Sequence, residues 1–295
     1  MFNRKKYILV IVLIGVLSVA AIVLNALFGK SEYWLWIALV AMTAFTVLRT
    51  RMFAPLQLFG TKFTMLVDYD LDVEEACRLA KEGADNAPTE KIAAIYTMYL
   101  GMGLYYKGDY DAAIRTFNGI RLDKLDGVYH VLIVAFICYA EFELGDEAAF
   151  RQGLERLRGI QSGITPKYQG YAANYLEILE ALDKLALDPE HYRAVMDKHF
   201  NRDDGYISTK LIHQYRLALY DRQVGDLAAM DQKLAFVIAN GKNHHTALRA
   251  RALFQGTVNP DDYVIRPADE EPTPADPSLI ETQKPEADED KPEGE

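Results

Sequence analysis

The chain has 295 residues, of which 50% are hydrophobic and 25% are charged. With 19 Gly, 11 Pro and 2 Cys, the composition excludes a collagen-like chain, a disulfide-stabilised scaffold and a protein that is disordered throughout. The net charge of -10 divides into a basic hydrophobic N-terminal part, an acidic middle part and an acidic Pro-rich C-terminal part. None of the three supplies the basic face that nucleic acid requires, so no nucleic-acid partner is expected.

The N-terminal part begins with a long apolar run. Residues 7–28 contain no charged side chain, and a helix of this length spans about 33 Å at about 1.5 Å per residue. Because the hydrocarbon core of a bilayer is about 30 Å thick, the run predicts a transmembrane helix. The alternative is a secretory signal peptide, since residues 1–6 resemble a basic n-region, but the run is long for an h-region and another apolar run follows at once.

The second apolar run covers residues 33–48 and is somewhat short for a span. Trp34 and Trp36 suit one membrane interface, and Arg49 and Arg51 suit the other, so snorkelling and interfacial aromatic side chains supply the missing length. We therefore predict a two-helix transmembrane hairpin over residues 1–51, with the lipid bilayer as one partner of the chain.

Basic residues predict the orientation of this hairpin. They flank it at positions 4–6, 49 and 51, whereas Lys30 alone lies between the two spans. The expected location is the cell membrane, with two spans and both termini in the cytoplasm. If the second run only lay in the interface, the body would face outward; the two Cys residues, which have no local partner pattern, favour the reducing cytoplasm.

The middle part is predicted to be all-α. After a linker at residues 52–69, a helical domain extends over residues 70–256, with short connections that favour antiparallel neighbours. Thr89 is a predicted N-cap, and Pro189 suits the first turn of a helix. The predicted helices cover residues 71–84, 90–107, 110–120, 128–144, 146–159, 167–187, 189–200, 207–224, 226–240 and 243–255.

A Gly-Asp step recurs between a longer helix and a shorter one. It occurs at residues 108–109, 145–146 and 225–226, and the wider last interval leaves room for one more helical pair. Recurrence at this spacing predicts an α-solenoid of about four helical pairs.

Residues 100–117 resemble one unit of the tetratricopeptide repeat family. Gly101 on the first helix, Tyr110 after the turn, and Ala113 and Phe117 on the second helix match the family pattern, while the other units match less well. Small residues such as Gly101 and Ala113 suit a close helix crossing. The resemblance implies a TPR-like solenoid whose first helices line a concave face that binds extended peptides or helices.

Candidate partner-binding residues lie on one face of the predicted first helices. Met and Tyr side chains give such a face adaptable apolar contacts and polar tips, although ordinary packing between repeats explains the same pattern. The face lacks the basic residues that would clamp a terminal carboxylate. The candidates are Met98, Met102, Tyr105, Tyr139, Phe142, Tyr215 and Arg222.

The sequence contains little that indicates an enzyme. His191 and His199 do not have metalloprotease spacing, and neighbouring helical side chains such as His244 and His245 diverge. Neither a Cys-x-x-Cys motif nor a phosphate-binding loop occurs. We therefore predict no catalytic residues, no bound metal and no cofactor.

The C-terminal part, residues 257–295, is rich in Pro, Glu and Asp and is predicted to be a disordered acidic tail. The whole pattern favours a membrane-anchored scaffold or adaptor that binds an unidentified protein or peptide. One alternative is an outward-facing membrane-bound chaperone or quality-control factor. Another is an enzyme with an unrecognised site, which requires a deep pocket with converging titratable groups.

Overall fold

The computed structural model describes residues 4–28, 33–202 and 204–265. Throughout these residues the secondary structure is helical and includes no β-strand, which confirms the all-α prediction. Residues 29–32, in the predicted hairpin loop, and residues 266–295, which make up most of the predicted acidic tail, lie outside this description.

Two long helices occupy the N-terminal part. Helix α1 covers Arg4–Phe28 and contacts helix α2, which covers Tyr33–Thr64 and ends in a π-helical turn at Met65–Tyr69. Helix α2 therefore continues through most of the segment interpreted as a linker. Phe59 and Phe63, on its last turns, are buried against aromatic side chains of the domain, so this end of α2 belongs to the domain core.

Two stretches among the described residues are long and apolar enough to cross a membrane by length and composition. The first is Ala38–Tyr69, whose most apolar window has no residue buried inside the protein. The second is Gly127–Leu144, of which 56% is buried. Since the core helix of a soluble domain passes the same test, burial accounts for the apolar composition of Gly127–Leu144.

The domain that follows consists of short-connected helices. Their positions agree with the predicted helices to within a few residues. They are α3 (Val73–Asp85), α4 (Glu90–Lys107), α5 (Tyr110–Asn118), α6 (Gly127–Leu144), α7 (Glu147–Gly163), α8 (Pro166–Asp183), α9 (Pro189–Phe200), α10 (Ile207–Val224), α11 (Leu227–Asn240) and α12 (His245–Leu253).

Local side-chain chemistry explains the helix ends. The Thr89 hydroxyl accepts a hydrogen bond from the backbone N–H of Ile92, which confirms the predicted cap, and α9 begins at Pro189. The glycines of the three Gly-Asp steps have φ values of 84°, 76° and 83°, a left-handed conformation that ends each preceding helix. The following aspartate of each step caps the next helix, with N···O distances of 3.2, 3.0 and 3.0 Å.

Close contacts between small and large residues fix the helical pairs. A Cβ atom added at Gly101 in α4 would lie 2.6 Å from the Phe117 ring in α5. A Cβ atom added at Gly153 in α7 would lie 2.5 Å from the Cys138 sulfur in α6. Each contact joins positions at similar distances from the intervening turn, so the two helices of each pair run antiparallel.

The two ends of the domain meet. The π-helical turn contacts α10, and α12 contacts α4. Ser208 donates a hydrogen bond to Asp68 at 2.7 Å, the Lys242 ammonium donates to the Asp70 carbonyl at 2.7 Å, and Leu71 packs in a cluster with residues of α10 to α12. The pairs α4–α5, α6–α7, α8–α9 and α10–α11 therefore form an array that closes on itself.

The chain after α12 packs against α11. Asp231 accepts hydrogen bonds from the backbone N–H and the hydroxyl of Thr257 at 2.8 and 2.7 Å. The backbone N–H of Ile265 donates to the Asn240 side chain at 2.8 Å. Residues 257–265, assigned from the sequence to the disordered tail, are thus ordered against the domain.

Candidate functional site

A cavity of about 400 Å³ lies between the helices of this array. Helices α4, α6, α8, α10 and α12, here called the inner helices, all contribute to its wall, together with the π-helical turn, the end of α9 and the segment between α9 and α10. The volume falls within the usual range of a ligand-binding pocket, about 300 to 1,000 Å³. Because so many elements contribute one or more side chains, this cavity is the candidate functional site.

Tyrosines dominate the cavity wall. Ring centroids lie 5.4 Å apart for Tyr105 and Tyr106, 6.3 Å for Tyr139 and Tyr175, and 5.2 Å for Tyr171 and Tyr175, with the last pair edge to face. Burial raises the pKa of the Tyr105, Tyr106 and Tyr175 hydroxyls well above its ordinary value. The hydroxyls are therefore neutral at physiological pH, and the rings form a continuous aromatic surface.

Asp68 places a carboxylate in this aromatic wall. Its Oδ1 atom accepts a hydrogen bond from the Ser208 hydroxyl at 2.7 Å. Burial raises the pKa of Asp68 above its ordinary value, the hydrogen bond from Ser208 lowers it, and the charge of Asp204 raises it again, with a net increase. The Asp68 carboxylate is thus a partly buried acid next to a like charge.

Asp204 itself is already paired. The Arg202 guanidinium lies 3.3 Å from its Oδ2 atom, and the Thr209 hydroxyl donates to the same oxygen at 3.0 Å. Both partners also line the cavity. The charge of Asp204 is therefore balanced locally, in contrast to that of Asp68.

Arg216 is the buried cation of the cavity wall. Its Nη1 atom lies 3.2 Å from Oε1 of Glu143, and Arg249 approaches the other oxygen of the same carboxylate at 3.1 Å. Burial lowers the pKa of Arg216, but the Glu143 charge together with the interactions with Tyr192, Tyr105 and Tyr215 more than offsets this effect, so the guanidinium stays charged. Its charge faces the Phe142 ring at 5.3 Å.

Two neutral histidines lie at the start of α12. Burial lowers the pKa of His244 to about 3 and that of His245 well below its ordinary value. Nδ1 of His245 lies 3.3 Å from the Tyr110 hydroxyl, whereas Nε2 of His245 is buried without a hydrogen-bond partner. His245 lines the cavity, but this nitrogen is itself fully buried and is not exposed to the open space.

The predicted partner-binding residues fall into separate environments. Tyr105 and Tyr139 line the cavity. Met102 and Phe142 are half-buried beside the core, and Arg222 is exposed near the end of α10.

The other two candidates lie in hydrophobic clusters. Met98 and Tyr215 each have only 1% of their surface exposed. The Tyr215 hydroxyl donates to Oε2 of Glu143 at 3.2 Å, so this residue supports the ion pair of Arg216.

Much of the cavity wall is not predicted from the sequence. Asp68 lies in the segment that the sequence assigns to the linker, and neither Arg216 nor His245 is among the predicted binding residues. Tyr106 follows Tyr105 directly, and Tyr171 precedes Tyr175 by one helical turn. This concentration of tyrosines on the first helices is the sequence feature that indicates an aromatic wall. No local pattern predicts that the π-helical turn and α12 meet the same cavity.

Comparison with known protein families, with characterised proteins and with solved structures finds no match for this chain.

Proposed function

We propose that this protein is a membrane-anchored interaction scaffold or adaptor whose TPR-like domain binds an extended segment of a partner protein in the cavity. The observation that carries the proposal is the convergence of the inner helices on one tyrosine-lined cavity. A tether at the membrane raises the local concentration of the domain near membrane-bound partners, so weak binding gives useful occupancy.

The two N-terminal helices support the membrane anchor. Large apolar side chains such as Val16 and Phe45 are more than half exposed. Ser18 and Thr43 each donate a hydroxyl hydrogen bond at 2.8 Å to the carbonyl four residues earlier, which satisfies these polar groups within the helix. Hydroxyls satisfied in this way tolerate a lipid environment, in line with the proposed hairpin of two spans.

The continuity of α2 supports a rigid connection between membrane and domain. Helix α2 has 32 residues and is about 48 Å long at about 1.5 Å per residue. A bilayer core takes up about 30 Å of this length. The remaining turns carry Phe59 and Phe63 into the domain core, so the anchor would hold the domain directly at the cytoplasmic membrane surface.

The helical pairs support the TPR-like assignment. The contact of Gly101 with Phe117 and the complete burial of Ala113 agree with the packing that the resemblance implies. In this interpretation α4, α6, α8 and α10 are the first helices of four repeats, and the cavity is the concave face.

The size of the cavity favours an extended segment over a helix. A helix with its side chains is about 10–12 Å wide, so a cavity of about 400 Å³ takes in only a short length of it. A side chain or a chain end from an extended segment fits this volume, with aromatic rings around it.

Cysteine labelling tests the membrane arrangement. Single cysteines introduced at Ser31 in the connecting loop and at Ser278 in the C-terminal part are treated, in intact cells, with a reagent that does not cross membranes. The proposal expects labelling at Ser31 and protection at Ser278. Labelling at Ser278 would instead support the outward-facing chaperone or quality-control factor.

Photo-crosslinking in native membranes tests the partner-binding site. A photoreactive phenylalanine replaces Tyr171, which lines the cavity and has 39% of its surface exposed. The control position is Leu187, which is 86% exposed and is not part of the cavity wall. The proposal expects a discrete captured protein from Tyr171, and equal capture from both positions would contradict it.

A second candidate function is an enzyme, favoured by the proximity of the Ser208 hydroxyl to the Asp68 carboxylate in the cavity. A serine nucleophile in this position would react with a fluorophosphonate probe. Labelling that is lost in Ser208→Ala would support the enzyme. The scaffold proposal expects no such labelling.

A further inference from the structure

The charged side chains of the cavity wall differ in their partners. The Arg216 guanidinium is paired with Glu143, a carboxylate that it shares with Arg249, and Arg202 and Asp204 pair with each other. The Asp68 carboxylate has a neutral hydroxyl, that of Ser208, as its hydrogen-bond partner, and the charge that contributes to its raised pKa is the like charge of Asp204. A positively charged group that enters the cavity beside Asp68 therefore gains a counterion.

The aromatic wall next to Asp68 favours the same sign of charge. Asp68, Tyr106, Tyr139 and Tyr171 line the same cavity, and the Asp68 charge contributes to the raised pKa of the Tyr106 hydroxyl. The faces of tyrosine rings carry negative potential, and a cation within about 6 Å of a ring centroid is attracted to the ring. A carboxylate beside several such rings is a favourable site for an ammonium group.

We propose that the cavity binds the side-chain ammonium of a lysine in the partner segment, with Asp68 as its counterion and the tyrosine rings around its alkyl chain. This inference rests on the proposed function, because the lysine belongs to the partner that the domain captures. Phe136, Ile178 and Ile212 supply apolar surface in the same wall for the four-carbon stem.

Fluorine NMR on the full-length chain in neutral detergent micelles tests this assignment. The protein carries 3-fluorotyrosine, and the resonances of Tyr106, in the cavity, and Tyr263, outside it, are assigned with Tyr→Phe variants. The probes are n-butylammonium, 1-butanol and butyrate, which have similar size and different charge. We expect n-butylammonium to shift the Tyr106 resonance saturably and to bind about tenfold more tightly than 1-butanol, while the Tyr263 resonance stays unchanged.

A charge-matched pair of variants identifies the counterion. Asp68→Asn retains an oxygen that accepts from Ser208 but removes the charge, and should weaken n-butylammonium binding about tenfold. Asp111→Asn, at an exposed position of α5, makes the same chemical change and should bind like the wild-type protein. Equal affinity of n-butylammonium and 1-butanol for the wild-type protein overturns the proposal even if Asp68→Asn does not fold.

The remaining outcomes separate this inference from the proposed function. Absence of a saturable shift, or unchanged affinity in folded Asp68→Asn, overturns the ammonium site. If photo-crosslinking at Tyr171 still captures a partner, the scaffold proposal survives that result. The ammonium probe could also bind as expected while Tyr171 captures no more than Leu187. The cavity would then be a cation site, but its cation would not come from a captured protein. That result also overturns the inference that the cavity binds a lysine of the partner.

Discussion

Glu143 of α6 and Arg216 of α10 form an ion pair across the interior of the domain, with 3.2 Å between Oε1 and Nη1. Only 1% and 4% of the two side chains are exposed. Arg249 of α12 approaches the same carboxylate, so a single acidic group joins three of the inner helices. This arrangement holds the wall of the cavity and gives Arg216 a buried counterion.

Glu143→Gln should destabilise the domain strongly. The substitution leaves the Arg216 guanidinium buried without its counterion, and removal of one member of a buried pair typically costs about 3–5 kcal/mol. The measurement is the free energy of unfolding in denaturant. Arg158→Gln is the control, because its ion pair with Glu180 is largely exposed and should contribute about 1 kcal/mol or less. Equal effects of the two substitutions would contradict the role assigned to Glu143.

Gly101→Ala should destabilise the α4–α5 pair by about 1–3 kcal/mol, since the added methyl group overpacks the contact with the Phe117 ring. Gly170→Ala is a matched control in α8, where an added Cβ atom meets nothing within 4 Å. There the change should stabilise the protein by about 0.5–1 kcal/mol through helix propensity. A melting temperature that is unchanged in Gly101→Ala would argue against close packing of this pair.

Asp68→Asn should stabilise the domain at neutral pH. Burial raises the pKa of Asp68 in the folded state above its ordinary value of 3.8, so the folded protein holds this proton more tightly than the unfolded chain. The contribution of Asp68 to the free energy of unfolding is therefore fully present below pH 3.8 and is lost as the pH rises through the raised pKa.

The pH profile checks this expectation. The groups that act on Asp68 are Ser208 and Asp204, and the Asp68 charge in turn acts on Tyr106, whose hydroxyl burial keeps neutral over the relevant range. Asp68→Asn and the wild-type protein should show similar stability at acidic pH and should diverge as the pH rises. A variant that is less stable than the wild-type protein at pH 7 would show that the ionised carboxylate stabilises the fold.

Both cysteines should resist thiol reagents until the protein unfolds. Burial raises the pKa of Cys77 to about 11 and that of Cys138 to about 12, so little of the reactive thiolate exists near pH 8. The reaction with a chromogenic disulfide, followed in native and denaturing solution, measures this directly. Rapid modification of either thiol in the native protein would contradict the packing around it. Slow modification would mean that the two native cysteines do not interfere with the labelling of introduced cysteines.

The sequence predicted the helices of the domain well because their signals are local. Caps such as Thr89, the proline at the start of α9 and the glycines that end three helices act within one helical turn. Gly101 also predicted a close helix crossing, because it lies within the segment that resembles a repeat unit. These features depend on neighbours in the chain, which one sequence displays.

The cavity was only partly predictable because it depends on contacts between distant parts of the chain. Tyr105 and Tyr139 were found from the faces of their helices, but Asp68 reaches the cavity only because the π-helical turn packs against α10. Similarly, His245 enters the wall because α12 packs against α4. The buried charge of Arg216 has no local signature, since its partner Glu143 lies on another helix.

Blocking the cavity tests the central claim most directly. Asn174 is exposed at the cavity wall in α8, so Asn174→Trp should fill the entrance without adding a side chain to the core. Photo-crosslinking from Tyr171 in native membranes is compared with and without this substitution, with Leu187 as the reference position. We predict capture from Tyr171 that falls to the level of Leu187 when Asn174→Trp is present and the melting temperature is unchanged. Capture that persists undiminished in the blocked protein would contradict binding in the cavity.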